Sequence, residues 1–91
     1  MSIYAAKEIG RLFEAVDLLQ VNGLLSPSEA RQECQRICKR ATKLGVGVAT
    51  TDTLGRPLDN AVRVHWMGSR GTQRNRVYPA FNLAHEKGSR R

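Results

Sequence analysis

Three arginines, Arg70, Arg74 and Arg76, fall within the nine-residue stretch GSRGTQRNR, residues 68–76. Their neighbours are Gly, Ser, Thr, Gln and Asn, with no acidic and no apolar residue among them. A segment of this composition cannot bury itself. It is either a solvated hairpin loop or a finger that grips a polyanion. Guanidinium groups fit phosphate oxygens and can enter a narrow minor groove. Thr72, Gln73 and Asn75 add short polar groups suited to the same surface. Gly68 and Gly71 permit tight backbone paths. Three arginines without a counter-charge favour the grip over the idle loop.

A second cationic set recurs at helical spacing: Arg31, Arg36, Lys39, Arg40 and Lys43, with Gln35 among them. No acidic residue interrupts it after Glu33. A helix with this face can lie along phosphates, or enter a major groove with Gln35 or an arginine reading base edges. The helix dipole favours the same order, with Glu29 and Glu33 near the N-terminus and cations near the C-terminus, so the pattern also has a purely structural explanation. A third set, Arg63, His65 and Tyr78, is expected on an outward sheet face beside Arg74 and Arg76. There arginines interleaved with rings would hold phosphates and stack on bases, although exposed Tyr and His on a sheet are common without any such role.

Chemistry beyond binding has little support. Asp52 and Asp59 flank one turn and His65 follows, a conceivable nuclease set, but nothing fixes their geometry, and aspartates in turns serve backbone hydrogen bonds. No constellation with defined catalytic roles is present, so the chain reads as non-enzymatic. Cys34, Cys38, His65 and His85 offer only one pair at a zinc-motif spacing. Both cysteines also fit a buried helical stripe, and their i, i+4 spacing is poor geometry for a disulfide, so they read as small reduced core thiols. No metal and no cofactor is expected. No phosphate-cradling glycine loop followed by Lys and Ser/Thr occurs.

The charge balance names the partner class. The 91 residues carry 15 Lys and Arg against 8 Asp and Glu, a net charge of +7. Residues 1–52 hold seven basic and six acidic side chains, whereas residues 53–91 hold eight and two. Such asymmetry points to nucleic acid, DNA or RNA, or to a nucleoprotein complex, ahead of an acidic protein or an anionic membrane. The length fits one domain, expected over residues 1–83, with a basic, frayed tail over residues 84–91. No stretch is apolar enough to span a bilayer, and the start carries no secretion signal, so a cytoplasmic protein is expected.

The elements that must position these residues are legible in the hydrophobic periodicity. Ala5, Ala6, Ile9, Leu12, Phe13, Val16 and Leu19 recur at threes and fours and predict a helix over residues 3–21, stopped by Asn22-Gly23. Gly10 weakens that helix and suggests the close approach of another backbone. Ser26, Pro27 and Glu29 form a capping-box signature, with Leu25 as an apolar staple against Ala30, and predict a helix from Pro27 to about Leu44. Its stripe is Ala30, Cys34, Ile37, Cys38, Ala41 and Leu44. Alternation then predicts strands over 46–52, 61–66 and 76–81, with a turn over 53–57 and a long hairpin loop over 68–76. Pro79 confines the last strand to an edge.

The expected fold is thus α+β: an antiparallel helical hairpin followed by a three-stranded antiparallel β-meander, with the helices packed on Val46, Val48, Val62, Val64 and Trp66. A basic helix followed by a hairpin with a basic tip resembles a winged-helix arrangement in outline, by topology alone. The leading function is a small non-enzymatic nucleic-acid-binding protein, a regulator or accessory factor. The alternative is an interaction protein that docks on a nucleoprotein complex and modulates or inhibits it, as small phage and plasmid proteins such as anti-CRISPRs do. A homodimer burying the apolar surplus of the helical hairpin is a third, weaker reading.

Overall fold

A computed structural model describes residues 3–80. Helix α1 spans Ile3–Val21, helix α2 spans Pro27–Leu44, and strands β1 (Gly47–Ala49), β2 (Ala61–Met67) and β3 (Gln73–Pro79) follow in chain order. The fold is α+β, with the expected helical hairpin and antiparallel meander in the order β1-β2-β3. Phe81, His85 and the tail over 84–91 lie outside the described residues.

The helix ends follow from local chemistry. α1 stops where Gly23 takes a left-handed conformation (φ 76°), and the Asn22 Nδ2 donates to the Leu18 carbonyl at 2.8 Å. α2 starts on a complete capping box. The Glu29 backbone N–H donates to Ser26 Oγ, and the Ser26 N–H donates to Glu29 Oε1 at 2.8 Å. These bonds hold the Glu29 carboxyl below its ordinary value. Gly45, also left-handed, closes α2 with its N–H on the carbonyls of Ala41 and Thr42. Glu8 early in α1 pairs with Arg40 late in α2, so the helices run antiparallel.

α1 lies across β2 and β3, and α2 packs on β1. Ala6, Ile9, Phe13 and Val16 of α1 meet Ala30, Cys34, Ile37 and Ala41 of α2 over Val46, Val62 and Val64. Val48 and Trp66 close the margins, half-buried. Leu19, expected in the stripe, is exposed.

The sheet departs from expectation in two places. β1 is shorter than the predicted 46–52. Beyond Ala49 only Thr51 makes a bridge, to Pro57, because Asp52 folds the next residues into a turn. β3 begins at Gln73 rather than at residue 76, so the predicted long loop is mostly strand. Three residues, Ser69–Gly71, turn the chain, and the Gly68 N–H donates to the Thr72 carbonyl at 2.7 Å.

That turn length fixes the register. Val62 pairs with Tyr78, Arg63 with Val77, Val64 with Arg76, His65 with Asn75 and Trp66 with Arg74. Paired residues share a sheet face. Tyr78, Arg76 and Arg74 therefore stand on the side of Val62, Val64 and Trp66, towards the helices. Arg63 and His65 share the outer face with Asn75, Val77 and Gln73. Tyr78 is only 7% exposed and belongs to the core.

The close approach at Gly10 comes from a side chain rather than a backbone. A Cβ on Gly10 would overlap Cζ, Cε1 and Cε2 of the Tyr78 ring. In an exposed helix Gly→Ala stabilises by about 1 kcal/mol. Here Gly10→Ala forces a ring and a strand to move and is expected to destabilise by about 1–3 kcal/mol. The sign of the shift in the urea midpoint decides between the two.

Candidate nucleic-acid interface

The hairpin tip carries a conformational cost. Arg70 (φ 64°) and Gly71 (φ 72°) are consecutive left-handed residues. Glycine adopts this backbone freely, but for a residue with a Cβ it costs about 1–2 kcal/mol. Arg70 is exposed. Beyond the turn, the stem of Arg74 folds across Gly68, where a Cβ would crowd its Cγ and Nε. The Arg76 guanidinium stands 5.8 Å from the centre of the Tyr78 ring. Arg74 and Arg76 are both exposed.

The outer sheet face carries fewer rings than expected. Tyr78, expected there, is turned inward by the register. His65 is the one aromatic residue on that face among the described residues, and its imidazole lies across Gly47, where a Cβ would overlap it. Arg63 is committed to the fold: its Nε donates to the Thr51 carbonyl at 2.8 Å and its Nη1 to Asn75 Oδ1 at 2.7 Å, tying the margins of the sheet together. The set Arg63, His65, Tyr78, Arg74 and Arg76 is thus divided between two faces. Gln73 sits on the outer face opposite Met67.

The basic face of α2 is partly neutralised. Arg36 pairs with Glu33, and Arg40 with Glu8, which raises the Arg40 pKa through the side-chain hydrogen bond and the charge of Glu8. Arg31 is half-buried in the first turns and engaged within the fold. Gln35, Lys39 and Lys43 are exposed. Lys39 and Lys43 make no ion pair among the described residues.

Asp52 is committed to the turn after β1. Asp52 accepts from the backbone N–H groups of Leu54 (2.8 Å) and Arg56 (2.9 Å) and from the Arg56 guanidinium (2.9 Å). The backbone bond from Arg56 is the main cause holding its carboxyl below the ordinary value. It shapes the turn after β1, and among the described residues no three His, Cys, Asp or Glu side chains are grouped to hold a metal ion. The zinc set is not brought together either. Cys34 and Cys38 face the core side, whereas His65 is on the far face of the sheet. Burial pushes the Cys34 thiol up to about 11 and raises Cys38 as well, so neither is a ready nucleophile.

What remains uncommitted is one group of cations. Lys7, Arg11, Lys39, Lys43, Arg70, Arg74 and Arg76 form no ion pair among the described residues. Lys7, Arg11 and Arg76 line one cleft, and the topology brings the elements that carry the others towards the same end of the molecule. The end of α2 runs through Gly45 and Val46 into Gly47, which pairs with His65, four residues before the turn. The antiparallel α1 brings its first half to the same end. Lys7 and Arg11 were not singled out by sequence reasoning, because helical periodicity marks them only as solvent-facing. Their proximity to β3 is a long-range fact with no local signal.

Compared with known proteins, the chain matches no family model, no curated protein and no solved structure. Among the described residues no helix is long and apolar enough to cross a membrane.

Two outcomes follow from the turns. Arg70→Asn, which tolerates the left-handed region and precedes Gly71, is expected to raise stability by up to about 1 kcal/mol in urea denaturation. Asp52, with its folded pKa depressed, contributes stability above its unfolded pKa that disappears as pH falls through the folded value. Asp52→Asn removes this contribution. Its stability measured by denaturation below about pH 5 should therefore fall less steeply with acid than that of the native chain.

Proposed function

We propose that the protein is a small non-enzymatic nucleic-acid-binding protein that grips phosphates with its basic end. The observation that carries this reading is the sorting of charge. Glu8, Glu33 and Asp52 pair with Arg40, Arg36 and Arg56, while the cations of the hairpin, the end of α2 and the first half of α1 form no ion pair among the described residues. Unneutralised cations repel one another, so collecting them at one end is favourable only with a polyanion there. The strained Arg70 supports the same reading, because a residue kept where Asn or Gly would fit more easily points to a use for its side chain.

The mode is a grip on backbone rather than a stack on bases. With Tyr78 inside and Arg63 tied to Thr51 and Asn75, the outer sheet face keeps one ring, His65, and a single ring is a poor platform for a run of stacked bases. Affinity is then expected to depend little on sequence.

A second reading has its own observation. Leu18 (61% exposed), Val21 (65%) and Leu24 (71%) sit close in sequence at the helical turn, away from the basic end. An apolar surface there suits a protein partner, and the protein would then dock on a nucleoprotein complex and modulate it, one end on each component.

Fluorescence anisotropy against salt, with duplex DNA, single-stranded DNA and RNA, tests the first reading. Reversing Arg70, Arg74 and Arg76 to Glu should abolish binding near physiological salt and flatten the dependence of log K on log salt by about 2–3, at about 0.7–0.9 per lost phosphate contact. Unchanged affinity would rule out the hairpin. If the native chain binds no nucleic acid even at low salt, while a nuclease-resistant protein complex is recovered with it, the docking reading takes its place.

A further inference from the structure

A cleft of about 310 Å3 separates α1 from β3. It is lined by Lys7, Arg11 and Glu14 on one side and by Arg76, Val77 and Tyr78 on the other. Lys7, Arg11 and Glu14 follow at intervals of four and three, so they form one stripe of the helix. Gly10, beside that stripe, seats the phenol end of Tyr78. The Tyr78 ring in turn stands 5.8 Å from the Arg76 guanidinium, a cation–π distance that favours holding this arginine at the cleft rather than free in solvent.

The electrostatics of the cleft are unbalanced. Three cations face one carboxylate, Glu14. Glu8, the next carboxylate along α1, is already paired with Arg40. Lys7 and Arg11, at i and i+4, repel each other on the helix surface. An oxyanion between α1 and β3 would relieve that repulsion and meet two guanidinium groups, an ammonium and a phenol, all able to donate hydrogen bonds. A tetrahedral phosphate presents acceptor oxygens in several directions and suits donors arriving from both walls better than a planar carboxylate.

We propose that this cleft holds one phosphodiester of the nucleic-acid strand gripped by the hairpin. The inference rests on the function proposed above and names one phosphate site within that basic end. Arg74 and Arg76 lie on the same face of β3, two residues or about 7 Å apart. With Arg70 at the tip they make a line of cations that ends in the cleft. The strand would run along β3 from the turn towards α1.

The test compares native protein with Lys7→Gln/Arg11→Gln, in the same anisotropy titrations over a range of salt, with the thermal midpoint confirming that both are folded. Glutamine is a good helix former, so α1 should persist. In parallel, the native protein is titrated with inorganic phosphate and, separately, with polyglutamate while the Tyr78 ring signals are followed by NMR. The proposal expects the double variant to lower the salt slope by about 0.7–0.9, one phosphate contact, and to weaken binding several-fold. It also expects saturable movement of the Tyr78 signals with phosphate. Should the double variant not fold, Arg11→Gln alone gives the same readout from the α1 wall, which the hairpin grip does not include. If the variant keeps the native slope and affinity, the cleft is off the strand's path and the proposal is overturned, while the hairpin grip stands. If native protein binds no nucleic acid, both fall. Tyr78 movement with inorganic phosphate would then mark a free-anion site, and movement with polyglutamate alone would mark an acidic protein partner.

Discussion

The seating of the Tyr78 ring against Gly10 is the constraint on which the arrangement of the basic residues depends. A buried aromatic ring is a large apolar contribution in a chain this short, and it needs a surface flat enough to accept it. α1 provides one by lacking a Cβ at residue 10. The contact locks β3 onto α1 and fixes the rotation of the strand. Since side chains alternate, an inward Tyr78 places Arg76 and Arg74 on the same side, where they project beyond the core beside Lys7 and Arg11. A packing decision in the interior thereby determines which cations share a surface.

The remaining charges are arranged around that surface. Glu8 bridges α1 to α2 through Arg40, and Asp52 organises the turn between β1 and β2 through Arg56. Exposed pairs of this kind add little stability singly. Their larger effect is on the potential, because each removes one cation from the uncommitted set and leaves the excess at the end formed by the hairpin, the close of α2 and the first half of α1.

Local signals are legible where a local mechanism enforces them. Ser26-Pro27-x-Glu29 is a self-contained hydrogen-bonding unit, and Gly23 and Gly45 supply left-handed caps, so both helices begin and end where the sequence places them. Val62 and Val64 alternate strictly and are buried as expected. The third strand is less legible because residues 73–76 have no apolar alternation, so nothing in their composition distinguishes strand from loop. The alternation of Arg74, Arg76 and Tyr78 was legible. Their partner face was not, because register depends on the number of residues in the turn, and a slip of one exchanges the faces. Three turn residues set Tyr78 opposite Val62 rather than beside Arg63. The role of Gly10 and the company of Lys7 and Arg11 depend on packing between residues nearly seventy positions apart, which periodicity does not encode.

The most direct test of the central claim, that the uncommitted cations form one phosphate-binding end, is amide and side-chain NMR mapping of the native protein titrated with a short duplex. The account predicts that the perturbed signals cluster on Lys7, Arg11, Lys39, Lys43, Arg70, Arg74 and Arg76, and that Leu18, Val21, Leu24 and the turn around Asp52 stay still. Perturbations centred on the helical turn at Leu18–Leu24, or on the outer sheet face at His65 and Val77 with the hairpin arginines unmoved, would contradict it.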